Sequence, residues 1–474
     1  MVAVRRGRRK AGRREERPGS DARSNRHAPK GTAMSAHTSS RHRILRGVLT
    51  VALATGMSGV LMGCSDTESS AAKTSADRSA ADAGGAADAT DATDAAAGKR
   101  LAGIAQKAAD NGSLGVIVRV DRGSGSPVEI ARQAAWTKDD HRLAVDDQFR
   151  VGSNTKTVTA TLVLQLVAED KVRLDDPVEK WLPGLVKGGA DITVRMLLNH
   201  TSGLGDFLLT PEFLPSLTGQ ERRTWRPEDL LAITPEQDPP AEPGEKYSYS
   251  NANYAALGLI LEKATGRSLA ELIEQKITKP LGMKDSYLAT NADWSTGKQH
   301  VTGYEPDAER LKDILSPTVD LPEGVGFVGP ERPGSNVDTA AIDPSWAGAA
   351  GAMVSTAQDW QRFLTALMSG RLLPKAQMKQ MRTTVSAPEE GGGYGLGLMK
   401  VNTPCGTVWG HTGGLPGYSS EIYTDAGGHR SVAVLTSTNF GIKEKAAATA
   451  NKTLVEAATC QMLGRSLPSR SPSE

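Results

Sequence analysis

Cysteine is scarce: there are three in 474 residues. That is too few for a disulfide scaffold, and no two share the Cys-x-x-Cys spacing of a metal site. Aromatic residues make up 4% and hydrophobic residues 38%, yet a chain of this length still buries a sizeable core at that composition. Basic charge is also short once the N-terminus is set aside. Residues 1–63 hold 14 Lys and Arg against 3 Asp and Glu, whereas from residue 64 onward acidic residues outnumber basic ones 51 to 42. An acidic body disfavours a nucleic-acid binder, whose affinity rests on phosphate contacts. With 50 glycines and 25 prolines, the chain is turn-rich and neither fibrous nor a coiled coil. No internal repeat is visible. The length allows two or three domains, or one large enzyme fold with tails.

Residues 1–33 are Arg-rich and nearly devoid of apolar side chains, so they cannot offset the entropy of folding. They read as a basic arm or as the product of a start codon placed upstream of Met34. From Met34 the pattern is that of a secretory signal: Arg41, Arg43 and Arg46 precede the uncharged apolar stretch Gly47–Gly63. That stretch is marginal in length for a spanning helix. It ends in Leu61-Met62-Gly63-Cys64, which resembles the lipobox of bacterial lipoproteins. The resemblance implies a lipid on Cys64, which would become the mature N-terminus at the outer face of the plasma membrane. A plain signal or signal anchor is the alternative. Residues 64–98 are dominated by Ala, Ser, Thr, Asp and Gly and read as a flexible acidic linker.

The globular part is expected over residues 99–464, followed by a disordered tail at 465–474. Leu114–Val120 and Val128–Trp136 read as strands near its start; Tyr394–Val401, Thr407–His411, Ser419–Tyr423 and Ser431–Ser437 read as strands near its end. Asp425-Ala-Gly-Gly428 is a hairpin turn. Between them the pattern is helical. Val158, Leu162, Leu166 and Val167 share a helical face, Ser268-Leu-Ala-Glu271 is a capping box, and Thr356 opens a helix closed by Gly370. The fold class is therefore α/β (α+β): an antiparallel sheet built from both ends of the chain (99–155 and 346–464), flanked by helices, with a mostly helical insertion at 156–345.

Three short motifs carry the chemistry. Ser153-Asn-Thr-Lys156 is an SxxK that follows an extended segment and begins a helix. Residues i and i+3 share a helix face, so Lys156 stacks over Ser153, and the helix N-terminus favours negative charge there. Ser70-Ala-Ala-Lys73 and Ser295-Thr-Gly-Lys298 match the same pattern without that context. Tyr249-Ser-Asn251 offers a phenol that can act as a base beside a cation, and an amide that can orient a carbonyl. His411-Thr-Gly413 ends a strand and leads into Gly414-Leu-Pro-Gly417, where glycines allow close backbone approach. His200 reads as part of a structural loop, and Gly391–Gly397 as the start of a strand, since it lacks the Lys-Ser/Thr of a phosphate loop.

In that order, SxxK, YxN and HxG resemble the motifs of the penicillin-recognising serine enzymes, in which SxxK is joined by S-D-N and K-T-G. Tyr-x-Asn is the class C form of the second motif. His-Thr-Gly resembles the third motif of secreted actinomycete D-alanyl-D-alanine carboxypeptidases. Thr193–Leu204, Pro280–Met283, Ala350–Thr356 and Tyr394–Gly397 are further family-like stretches. The resemblance implies a β-lactamase/transpeptidase-like fold and acyl transfer through a serine ester. Ser153 is then the nucleophile. Tyr249, held near phenolate by Lys156, is the base, with Lys156 itself as the competing base. The backbone N–H groups of Ser153 and Gly414 form the oxyanion hole, and Asn251, His411, Thr412 and Gly413 bind substrate. No metal or cofactor is implied. The carboxypeptidases carry a disulfide in this region, which implies a Cys405–Cys460 bond; two buried free thiols are the alternative. Expected substrates are a cell-wall peptide, a β-lactam or an ester. An esterase or amidase on the same fold, or a non-catalytic surface lipoprotein, are the competing functions. The carboxypeptidases hold the substrate carboxylate with a Thr after His-Thr-Gly and an Arg before the cysteine. This chain has Gly414 at the first place and Met399 and Lys400 near the second, which predicts poor cleavage of carboxylate-terminated peptides.

Overall fold

Two runs of β-branched residues more than 300 positions apart, Gly115–Asp121 (β1) and Ser431–Thr436 (β8), pair antiparallel, Val116 opposite Thr436 through Asp121 opposite Ser431. They are the second and third strands of an eight-stranded antiparallel sheet. The remaining strands are Val128–Gln133 (β2), Val385–Ala387 (β3), Gly392–Tyr394 (β4), Met399–Thr403 (β5), Gly406–Leu415 (β6) and Tyr418–Thr424 (β7), in the order β2-β1-β8-β7-β6-β5-β4-β3. The computed structural model describes residues 83–466 apart from 238–240, 295–296, 316–320 and 322–323. Cys64, Ser70 and Ser295 lie outside the described residues, as do residues 1–63 and the tail from 467.

Five helices frame the site and sheet: Ala83–Ala108 (α1), Thr155–Ala168 (α2), Asn251–Thr265 (α3), Ala357–Met368 (α4) and Lys445–Met462 (α5). Side chains alternate across a strand, and the two faces of β1 and β8 meet different cores. Val116, Val118, Val432 and Val434 pack with Leu101 and Ala105 of α1 and Leu454 and Ala458 of α5. Ile117, Ala433 and Leu435 join Trp360, Phe363 and Leu364 of α4 in the larger core, which continues into α2 and α3. Coverage of both faces explains why these strands read as mostly apolar runs rather than alternating ones.

The segment expected to be helical, 156–345, is mostly so, with short strands at Tyr287–Leu288, Tyr304–Pro306, Glu331–Arg332 and Asn336–Asp338. The capping box at Ser268 and the Thr356 cap on Asp359 N form as expected. Other expectations need correction. The linker expected up to residue 98 gives way to helix from Ala83. Alanine lacks bulk for a core, but it is also the strongest helix former, and α1 earns its place through Leu101 and Ala105. The strand expected at Tyr394–Val401 is a β4–β5 hairpin, with Tyr394 opposite Met399. The second strand stops at Gln133, and a 3-10 turn, Ala135–Asp139, follows.

Cys405, in the β5–β6 turn, is bonded to Cys460 of α5, with Cα atoms 5.2 Å apart and 55 positions between them. Closing a loop of that length removes unfolded-state entropy equivalent to roughly 4 kcal/mol. The double variant Cys405→Ser/Cys460→Ser is expected to unfold at lower denaturant concentration than the oxidised protein, with two fewer cysteines protected from alkylation. Equal midpoints would show that the bond contributes nothing.

Candidate active site

The N-terminus of α2 meets the edge of β6, and the candidate residues gather there. Phe149 and Arg150 pair with Ser355 and Val354, and the chain then turns at Gly152, where φ is +56°. Glycine is favoured in that left-handed conformation, and a Cβ here would lie 2.6 Å from Gly414 N. One 3-10 turn, Gly152–Asn154, leads into α2. Thr155 Oγ1 donates to Gly152 O and Asn154 Nδ2 to Ser420 Oγ, both at 2.8 Å, which pins the turn to the sheet. Between Phe149 and Leu164, Ser153 alone is partly exposed.

The spacing of apolar residues in α2 suggests an amphipathic helix, but the structure buries it on all sides from Thr155 to Leu164. Its threonines are tolerated because each hydroxyl finds a carbonyl. Thr157 Oγ1 donates to Gly397 O and Thr159 Oγ1 to Ala349 O, both at 2.8 Å, and Thr161 Oγ1 to Thr157 O at 2.7 Å.

Lys156 is fully buried. Its Nζ lies 3.0 Å from Ser153 Oγ, 2.8 Å from Asn251 Oδ1 and 2.8 Å from Ala350 O. Three acceptors match the three N–H groups of an ammonium. Burial nonetheless lowers its pKa to about 7, with Asp206 and Glu390 pulling the other way. As a neutral amine, Lys156 can keep donating to Asn251 and Ala350 and turn its lone pair to the Ser153 hydroxyl.

Asn251 is the first residue of α3, capped by Ser250, whose Oγ accepts from Ala252 N. Asp206 accepts from Asn251 N at 3.2 Å and from Asn251 Nδ2 at 2.8 Å, which leaves Asn251 Oδ1 facing Lys156. Tyr249 lines the cleft, and its ring centre is 4.8 Å from Lys156 Nζ. Burial drives the phenol well above its ordinary value, opposed in part by a hydrogen bond with Ser153. Burial thus favours the neutral phenol over the expected phenolate. His200 does not reach the cleft. It is buried, stacks on Tyr249 with ring centres 4.3 Å apart, and its Nδ1 lies 3.2 Å from Ser250 N.

The His-Thr-Gly motif also differs from expectation. β6 does not end at His411 but runs to Leu415. Past Gly410 its β5 side carries no ladder, since β5 stops at Met399, and residues 411–415 pair with β7 alone. His411 was expected to line the cleft and bind a carboxylate. It is buried, with its ring centre 6.5 Å from that of Tyr249, Nε2 2.8 Å from Tyr394 Oη and Nδ1 2.5 Å from Thr412 O. Burial, and then the charge of Lys156, lower its pKa to about 3, so it is neutral. Thr412 turns its hydroxyl toward Met399 Sδ, at 3.9 Å. Gly413 and Gly414 bring backbone to backbone: a Cβ on Gly413 would lie 3.0 Å from Ser153 N. The N–H groups of Ser153 and Gly414 thus share one small region beside the Ser153 hydroxyl.

The cleft is lined by Ser153, Tyr249, Asn251, Ala350, Gly414 and apolar side chains that include Leu208, Leu217, Trp346 and Leu415. None of the described lining residues is Lys or Arg. Sequence reasoning missed Asp206, Tyr394 and the Ala350 carbonyl. Asp206 carries a local signal as the cap of the turn Phe207–Leu209, and Ala350 opens a family-like stretch without a chemical side chain. No cluster of His, Cys, Asp and Glu suited to a metal occurs among the described residues.

Residues 72–457 match the Beta-lactamase family, and the chain belongs to it. Its sheet and helices are those of a serine-hydrolase-type β-lactamase fold. Esterase EstB of Burkholderia gladioli is 31% identical over 320 residues, covering 62% of this chain and 78% of the esterase. Penicillin-binding protein 4* of Bacillus subtilis is 29% identical over 294 residues, covering 59% of this chain and 58% of that protein. Among solved structures, a D-stereospecific amidohydrolase from Streptomyces sp. aligns with TM-score 0.63 and 35% identity, covering 77% of this chain and 98% of that one. The D-amino acid amidase of Ochrobactrum anthropi SV3 aligns with TM-score 0.67 and 26% identity over the same shares.

Gly152→Ala tests the turn that holds Ser153. It forces a left-handed alanine and a Cβ against Gly414 N, and the strain alone costs about 1–2 kcal/mol. The variant is expected to lose at least that much unfolding free energy in urea and so to unfold at a lower midpoint; an unchanged midpoint would mean that the turn relaxes freely.

Proposed function

We propose that this chain is a serine hydrolase that forms an acyl-enzyme at Ser153 and acts on esters or amides carrying no carboxylate next to the scissile bond. The observation that carries this reading is Lys156 Nζ, buried and 3.0 Å from Ser153 Oγ, beneath a cleft whose described lining has no cation. Neutral Lys156 takes the Ser153 proton as Oγ attacks the carbonyl. The negative charge on the former carbonyl oxygen is met by the N–H groups of Ser153 and Gly414. Lys156, now an ammonium, returns the proton to the leaving amine or alcohol, with Tyr249 beside Ser153 as the relay. Water then attacks the ester by the same steps in reverse roles. Kinship to an esterase, to a D-stereospecific amidohydrolase and to a D-amino acid amidase supports this substrate class. A carboxypeptidase needs a cation for the terminal carboxylate, and neutral His411 does not supply one.

The deciding experiment compares kcat/KM on a neutral acyl ester, a D-amino acid amide and an acyl-D-Ala-D-Ala peptide. A missing charge-assisted hydrogen bond is worth about 1.5–3 kcal/mol, so the peptide is expected to lag the ester by roughly ten- to a hundredfold. Preference for the peptide would return the chain to the carboxypeptidase reading. Ser153→Ala should lose all covalent labelling by a fluorophosphonate, and labelling that persists elsewhere would overturn the nucleophile.

A pH profile tests the base. Lys156 must be neutral to accept a proton, so kcat/KM is expected to rise with pH through about 7 and then level off. The charged neighbours that raise its pKa are Asp206 and Glu390. Asp206→Asn should therefore move the acid limb to lower pH. A limb that stays in place in Asp206→Asn would assign it to another group.

A further inference from the structure

Glu305 lies in the short strand Tyr304–Pro306, opposite Val337, and is fully buried. One of its oxygens bridges two segments and the other binds the second of them alone. Oε1 accepts from Gly417 N at 2.7 Å and from Asn439 N at 3.0 Å. Oε2 accepts from Phe440 N at 2.9 Å, Gly441 N at 3.3 Å and Thr438 Oγ1 at 3.2 Å. Gly417 closes the turn that begins with Leu415 and Pro416, both on the cleft wall. Asn439 reaches the wall from the other side: a Cβ on Gly414 would lie 2.7 Å from Asn439 Oδ1 and 3.0 Å from Nδ2. The Asn439 amide thus occupies the room a side chain at 414 would need. Its Nδ2 is buried without a hydrogen-bond partner among the described residues, and its backbone N–H is bonded to Glu305.

Gly414 is therefore held between two segments, one following it in sequence and one packed on it, and both hang from a single carboxylate. We infer that Glu305 is a positioning residue for the reaction: it fixes the Gly414 N–H at the distance from Ser153 that the oxyanion requires. The inference rests on the proposed function, in which that N–H is one of two oxyanion donors. Only an acceptor with two oxygens meets both sets of N–H groups. A glutamine would turn an NH₂ toward one set and leave those donors opposed. An aspartate would be one methylene short.

The test uses Glu305→Gln in the full chain, with active sites counted by burst acylation. A positioning role predicts that kcat per titrated site on the neutral ester falls by about tenfold or more, while KM changes by less than about twofold, because misplacing a transition-state donor costs rate rather than binding. Amide hydrogen exchange at Gly414, Leu415 and Gly417 should quicken by about tenfold, with β1 and β8 unchanged. A purely structural role would lower the melting temperature and the fraction of active sites but leave kcat per site intact; that outcome, or unchanged exchange at those amides, overturns the inference. If Glu305→Gln does not fold, Thr438→Val removes one donor from Oε2 and is read by the same measurements, with a change in the same direction expected. If the wild type neither cleaves esters nor labels at Ser153, the proposed function fails, and the exchange data alone decide the positioning.

Discussion

A lysine with no exposed surface is the constraint around which this molecule is organised. Taking an ammonium out of water costs several kcal/mol unless its donors are met. Here they are met by Ser153 Oγ, Asn251 Oδ1 and Ala350 O, which come from three parts of the chain. Each partner is itself held. Asp206 fixes the Asn251 amide, the turn Gly348–Gly351 presents the Ala350 carbonyl, and the Gly152 turn sets Ser153. The satisfaction is complete for the ammonium and also for the amine with the serine proton turned toward it. That leaves the proton free to move between the two residues without stranding a polar group, which is what a base at neutral pH requires.

Burial pushes the phenols and imidazoles around Lys156 toward their neutral forms. Tyr249 and Tyr394 are driven up by burial, and His200 and His411 down. The result is a low-dielectric pocket with one group near the titration point. Such a site stabilises a developing oxyanion by fixed N–H dipoles rather than by mobile charge. It also explains how a motif that carries His where related enzymes carry Lys can work: the wall contributes backbone, and the imidazole contributes packing and a bond to Tyr394.

Much of this was legible in the sequence. Ser153 and Lys156 are set by helical spacing, Asn251 by the Tyr-x-Asn motif, and β1 and β8 by β-branched runs bounded by Gly and Asp. What was not legible depends on neighbours that only folding supplies. The extent of β6 through His-Thr-Gly is fixed by pairing with β7, and no local propensity announces it. The neutrality of His411 follows from burial, which a single histidine in a polar-looking loop does not reveal. α1 was hidden because alanine serves linkers and helices equally well until Leu101 and Ala105 find the sheet. α2 looked amphipathic because its threonines are polar by residue type, though their hydroxyls are spent on carbonyls.

The pairing of β1 with β8 has a consequence for how the molecule comes into being. Gly115 N bonds to Ser437 Oγ across 322 positions, and the Gly152 turn leans on Ser420 of β7 through Asn154. Contacts so distant in sequence form late, since the loop between them must be closed first. A growing chain that has emerged only as far as α4 carries Ser153, Lys156 and Asn251, but it has neither the strand that props the nucleophile nor the one that supplies Gly414. Hydrolytic competence therefore arrives with the final strands, and a chain truncated ahead of β6 would be a hydrolase in its motifs but not in its chemistry.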